Sequence, residues 1–216
     1  LSKRIYSDSN VETRILRKKL ATLYRSLELF KEAEPLYEWE LNFVKNEYGS
    51  DDLKIVVPKY NLALSYKGQG KYIDAERLLL KAVASDPLLK EAYNNLGNLM
   101  SKKKDYVLAI KYFDQALTID ENFYLAYYNR GNIYRKLNEF QSAINDYNKT
   151  LEFNENLQEV YLNLGICHLE LHDHKNALAI YNKGLSLGEN AEIFSNIGVV
   201  YKNLGDSKLA RKFFED

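Results

Sequence analysis

The chain has 216 residues, 46% of them hydrophobic and 28% charged, a balance that fits one or two folded domains and excludes a disordered tail. Its formal net charge is zero, so bulk charge offers nothing to a nucleic acid or an anionic membrane. Three prolines argue for long helical runs, and the single cysteine, Cys167, excludes an intramolecular disulfide and fits a reducing compartment. No run of about 18 apolar residues reads as a membrane span, and no N-terminal stretch reads as a signal peptide. The expected location is cytoplasmic, with the nucleus left open. The first residue is Leu1 rather than Met, so targeting information ahead of it is not read.

In chain order, "YSDSNVE" (6–12) stands 42 residues before "YGSDDLK" (48–54) and matches it slot by slot. Residues 1–13 are therefore expected to be the tail of a preceding repeat. A first helix then runs through Ala21. A long second helix follows in "LFKEAEPLYEWELNFVKNEYGSDDL" (29–53), lengthened by roughly two turns because eight extra residues are inserted. From there the spacing settles. Small residues fall at Ala21, Ala63, Gly97, Gly131, Gly165 and Gly198, and an alanine follows each by twelve: Ala33, Ala75, Ala109, Ala143, Ala177 and Ala210.

Three residues after each small residue stand Tyr24, Tyr66, Met100, Tyr134, His168 and Tyr201. Sixteen after it stand Tyr37, Leu79, Phe113, Tyr147, Tyr181 and Phe214. Apolar residues at steps of three and four on both sides of breakers such as "KGQGKY" (67–72) and "NLGDS" (203–207) imply two amphipathic helices per copy. Small residues let the paired backbones approach, and the aromatics fill the space beside them. Pro87 falls between copies, where a proline is tolerated.

Period and slots together resemble the tetratricopeptide repeat (TPR) family, on Tyr93, Leu96, Gly97, Ala109, Phe113 and Ala116 and their equivalents in other copies. The resemblance covers nearly the whole chain. It implies an all-α fold, a right-handed TPR superhelix of stacked antiparallel helix pairs with a concave face lined by the first helices. The expected repeats are 14–55, 56–89, 90–123, 124–157 and 158–190, with a partial one at 191–216 cut inside its second helix. The chain thus reads as a single TPR solenoid, a fragment of a longer protein. "EAEPL" and "YNLALSYKGQGKY" are similar to the 42-residue repeats of kinesin light chains. The later copies are similar to the array of O-linked N-acetylglucosamine transferase. Both families use such arrays to hold other proteins.

Two residues before the small residue the copies carry Lys19, Asn61, Asn95, Asn129, Asn163 and Asn196. In the TPR frame this slot faces the groove. A side-chain amide both donates and accepts, as a peptide backbone does. Asn is also several tenths of a kcal/mol worse than Ala inside a helix, so a row of five calls for a compensating role. One role is capture of an extended segment of a protein partner; the other is bonding between neighbouring helices. Asn94, Asn98, Asn132, Tyr60 and Tyr128 join the same face, with Lys67, Lys102 and Arg135 as basic slots. The middle of the face is amide-rich, aromatic and mildly basic, suited to an acidic or aromatic segment. The opposite reading of the basic slots is a solvated charged face.

The resemblance also locates what is missing. Chaperone-binding TPR domains grip a carboxylate with Lys and Arg six and two before the small residue. Here those slots hold Ile15, Val57, Glu91, Leu125, Glu159 and Glu192, and then Asn or Lys19, so no such clamp is expected. "CHLELHDH" (167–174) has a spacing compatible with a metal, but His168 and His174 occupy aromatic slots and His172 a turn, so no metal is expected. "SKKKDY" (101–106) is one basic turn in a neutral chain, and no nucleic-acid partner is expected. No phosphate loop, dinucleotide turn or acid–base constellation is present, so no cofactor and no catalysis are expected. The alternatives kept open are the substrate-recruiting arm of a larger enzyme and an architectural subunit using its convex face.

Overall fold

The computed structural model describes residues 11–50 and 52–215. The tail expected at 1–13 lies mostly outside them. All regular structure among the described residues is helical. The chain divides into two compact units, one up to Leu99 and one from Met100, the division falling inside a helix.

The first unit comprises α1 (Val11–Ser26), α2 (Phe30–Tyr48), a 3₁₀ turn (Leu53–Ile55), α3 (Val56–Gly68), α4 (Tyr72–Ser85) and most of α5 (Lys90–Lys102). Helix α1 packs on α2, α2 on α3, and α3 on α4. At 19 residues α2 exceeds the 14-residue α4 by about 1.4 turns rather than the two expected. Gly49, at φ +94°, ends α2 early, and the remaining residues form the 3₁₀ turn, capped by the Asp52 carboxylate on the Lys54 N–H at 2.7 Å.

The second unit continues with α6 (Tyr106–Ile119), α7 (Tyr124–Lys136), α8 (Phe140–Phe153), α9 (Gln158–Glu170), α10 (His174–Leu185), α11 (Ala191–Asn203) and α12 (Ser207–Glu215). Each helix packs on the next, and α7 also touches α9, as α9 touches α11. The first helices of successive pairs therefore line up side by side, with the second helices behind them. The alanines twelve after each small residue are all buried, as are Tyr147, Tyr181 and Phe113. A Cβ added at Gly131 would stand 3.0 Å from the Tyr147 ring, and one at Gly198 would stand 2.8 Å from the Phe214 ring. What presses on these glycines is thus the aromatic sixteen positions later, and at Phe113, Tyr147 and Tyr181 that ring is fully buried.

The turn inside each pair has one design in both units. Seven residues after the small residue the backbone is left-handed: Glu28, Gly70, Lys104, Asn138, His172 and Gly205, with φ from 58° to 81°. The next N–H reaches back five residues to the carbonyl of the slot that holds Tyr24 in the first copy (Leu29 to Tyr24, 2.8 Å; Asp173 to His168, 2.8 Å). This is the 6→1 bond of a Schellman ending. The same residue that donates it precedes the second helix. Where it is Asp105, Asp173 or Asp206, its carboxylate also caps that helix through the N–H of Leu108, Asn176 or Leu209.

Candidate functional site

In the first unit the expected face residues sit on α3 and α5. Asn95, 7% exposed, is bonded on every side. Its amide nitrogen donates to the Glu91 carbonyl (2.8 Å) and to the Tyr60 hydroxyl (3.1 Å), and its oxygen accepts from the Lys67 ammonium (2.6 Å). Burial, and then the charge of Glu91, raises the Tyr60 phenol above its ordinary range. Tyr60, Lys67 and Asn95 thus form one cluster. Asn94 is buried and Asn98 half-buried. Asn61 is half-buried and lines a cavity of about 530 Å³ between α1, α2 and α3.

In the second unit Tyr128, Asn129, Asn132 and Arg135 come from α7, Asn163 from α9 and Asn196 from α11. The Asn132 oxygen accepts from the Tyr147 hydroxyl at 2.7 Å and, more weakly, from the Asn163 amide at 3.4 Å. Burial and then a hydrogen bond to Glu159 push Tyr128 up to about 12. An acid therefore meets the aromatic of a section that the sequence reads as mildly basic. Arg135 is half-buried with its Nε lacking a partner, and Lys102 is exposed. The Asn196 amide donates only to the Glu192 carbonyl, at 2.9 Å, and retains an unused oxygen and a second N–H among the described residues. The Asn row is consequently not uniform. Asn95 is fully engaged within the chain, Asn163 is buried, and Asn61 and Asn196 keep hydrogen-bonding capacity.

Two polar clusters are absent from the list of expected residues. Arg130 stands in the slot before the small residue, where the other copies carry Leu20, Leu62, Leu96, Leu164 and Ile197. Its guanidinium meets Asp146 in a two-pronged bond, Nε to Oδ2 at 2.8 Å and Nη2 to Oδ1 at 2.7 Å, and also pairs with Asp114. Asp146 in turn occupies a slot held elsewhere by Leu36, Leu78, Tyr112, Ile180 and Phe213. Burial opposes the Arg130 charge, but the Asp146 bonds outweigh it and hold the guanidinium firmly protonated. The second cluster is on Glu40, 4% exposed, in the slot that holds Ala82, Ala116, Thr150 and Gly184 in other copies. Arg14 bonds it at 2.9 Å and Lys18 at 2.7 Å. The available signal was the departure of these residues from their own repeat column.

The histidine stretch resolves into separate roles. His168 Nδ1 lies 3.2 Å from Asp173 Oδ2, His172 is the left-handed turn residue, and His174 is half-buried at the start of α10. Among the described residues no three His, Cys, Asp or Glu side chains are grouped to hold a metal ion. Cys167 is buried, which pushes its thiol up to about 12 and makes it a poor nucleophile. No described helix is long and apolar enough to cross a membrane.

Comparison with known proteins agrees with this architecture. Tetratricopeptide repeat models match residues 60–85, 91–123, 124–157, 158–190 and 191–216. No curated protein matches the chain. Among solved structures, MamA is 23% identical, with a TM-score of 0.67 over 71% of this chain and 91% of its own. YrrB, a TPR protein with an unusual peptide-binding site, is 23% identical, with a TM-score of 0.70 over 80% of this chain and 88% of its own. PilF of Pseudomonas aeruginosa is 20% identical, with a TM-score of 0.77 over 94% of this chain and 89% of its own. At such identities these likenesses speak for the fold, while the repeat models cover most of the sequence: the chain belongs to the tetratricopeptide repeat family.

Proposed function

We propose that the chain is a non-catalytic protein-interaction scaffold that holds an extended segment of a protein partner against its first helices. The observation that carries this reading is the amide capacity left at Asn61 and Asn196, in a slot that holds Asn in five of six copies. Asn is a poorer helix former than Ala, and a backbone strand offers the N–H and C=O groups that match its amide. In the first unit Asn61 receives the segment, with Asn95, Tyr60 and Lys67 as a braced wall beside it. Asn94 and Asn98 extend that wall. In the second unit Asn196 is the foremost contact, and Asn129, Asn132, Asn163, Tyr128, Lys102 and Arg135 complete the face. An acidic or aromatic segment suits the basic and aromatic slots. The single buried thiol fits a cytoplasmic setting.

The test uses a fluorescein-labelled peptide selected on the whole chain from a random display library. Asn61→Ala with Asn196→Ala removes two amides, each worth about 0.5–1.5 kcal/mol in hydrogen bonding. Affinity should fall roughly 5- to 150-fold, with the melting temperature nearly unchanged or higher because Ala is the better helix former. Unchanged affinity in this variant refutes the amide reading. Asn95→Ala serves as the contrast. It strips partners from Lys67 and Tyr60 and should lower stability by about 1 kcal/mol.

A further inference from the structure

The cavity between α1, α2 and α3 has the make-up of a second kind of contact. Its volume, about 530 Å³, falls within the roughly 300–1,000 Å³ of ligand pockets. Arg14, Lys18 and Lys54 line it against one acid, Glu40, leaving two positive charges in excess. Glu40 is already saturated by Arg14 and Lys18. The Lys54 ammonium lies 3.6 Å from the centre of the Tyr48 ring and has no acceptor among the described residues.

The donors outnumber the acceptors further down. Tyr37, 3% exposed, forms part of the wall, and its buried hydroxyl has no hydrogen-bond partner. The equivalent hydroxyl of Tyr147 donates to Asn132 at 2.7 Å. In the first copy the slot of Asn132 is Thr22, whose hydroxyl instead donates to the Lys18 carbonyl of its own helix at 3.0 Å. A buried hydroxyl without an acceptor costs about 1–3 kcal/mol. Asn61 adds an amide with no bond to the described chain. Val57 and Pro58 supply an apolar side to the cavity.

Surplus donors, surplus positive charge and an apolar flank call for an acceptor-rich anionic group on a short carbon stem. We infer that this cavity is an anchor pocket for a carboxylate side chain, Glu or Asp, of a bound segment. Lys54 and the Arg14–Lys18 pair meet the charge, and Asn61 and the Tyr37 hydroxyl supply the directional donors. This rests on the scaffold reading in taking the ligand from a captured segment. A capped single residue needs no row of amides, so the two readings fail separately.

The experiment is a nuclear magnetic resonance titration of the whole chain with N-acetyl, N-methylamide forms of glutamate, glutamine and phosphoserine. Expected are saturable shifts at the Asn61 side-chain amide and the Lys54 and Thr22 resonances with capped glutamate. Capped glutamine should bind at least about fivefold more weakly. Lys54→Gln and, separately, Tyr37→Phe should each weaken capped glutamate at least about threefold, while the melting temperature falls in neither variant. Equal binding of glutamine, indifference to both substitutions, or no shift at these residues overturns the inference. Tighter binding of capped phosphoserine overturns the assignment to a carboxylate.

Discussion

The copy at 124–157 places both an acid and a base in columns that elsewhere hold apolar residues, the first copy places only an acid in a column of small residues, and the outcomes differ. Around Arg130 the exchange is complete. Asp146 fills the facing slot, the guanidinium side chain is 18% exposed, and both carboxylate oxygens are bonded. Around Glu40 it is lopsided. The acid is buried, but its partners are 26% and 49% exposed and border an open cavity. The same contrast repeats one turn away, where the Tyr147 hydroxyl has Asn132 and the Tyr37 hydroxyl has nothing. A polar group placed in a repeat core is structural when its partner column changes with it. At Glu40 and Tyr37, where the partner column does not change, the unmet capacity borders an open cavity that can receive something else.

The contrast is most sharply tested by deleting the acids. Asp146→Ala leaves the largely buried Arg130 guanidinium with Asp114 alone and should cost about 3 kcal/mol in urea unfolding. Replacing Arg130 and Asp146 together by Leu, the residue of the parent columns, should recover that loss and can add about 1–4 kcal/mol. Glu40→Ala should cost only about 1 kcal/mol, because Arg14 and Lys18 turn to water. A Glu40→Ala loss as large as that of Asp146→Ala would erase the distinction between the two clusters.

The tyrosine pair gives a smaller and cleaner comparison. Tyr147→Phe removes a 2.7 Å hydrogen bond and should lower stability by about 1 kcal/mol. Tyr37→Phe removes a hydroxyl that bonds to nothing and should leave stability level or raise it slightly. Equal losses in thermal unfolding would mean that Tyr37 has a partner within the chain after all.

The turn supplies the baseline against which these differences are read, because it has the same left-handed residue in every copy. Glu28→Gly and Lys104→Gly each relieve a side chain held at φ near +60°. The left-handed strain of about 1–2 kcal/mol exceeds the roughly 0.5–1 kcal/mol entropic cost of glycine. Each change should therefore stabilise by up to about 1 kcal/mol, alike in the two units. A gain in one and a loss in the other would show that the turns are not equivalent.

Which of this was legible in the residues depends on what repetition can encode. Spacing of small residues and of Tyr37, Phe113, Tyr147 and Tyr181 determined helix pairs, their order and their buried columns. Apolar burial is non-directional and needs only the right size at the right period. The same columns named the amide row and located the breakers between helices. Hydrogen bonds, by contrast, depend on direction within a few tenths of an ångström. Asparagines that look alike in sequence accordingly separate into Asn95, locked by Tyr60 and Lys67, Asn163, buried beside Asn132, Asn129, half-buried on α7, and Asn61 and Asn196, which keep capacity. Tertiary contact also decided that Arg130 finds Asp146 and Asp114, sixteen residues away on either side, while Tyr37 finds no acceptor. The left-handed turn at Glu28 and Lys104 was hidden for a related reason. Two of its six positions, Glu28 and Lys104, hold residues with no preference for that backbone, and the packing of the paired helices imposes it on them.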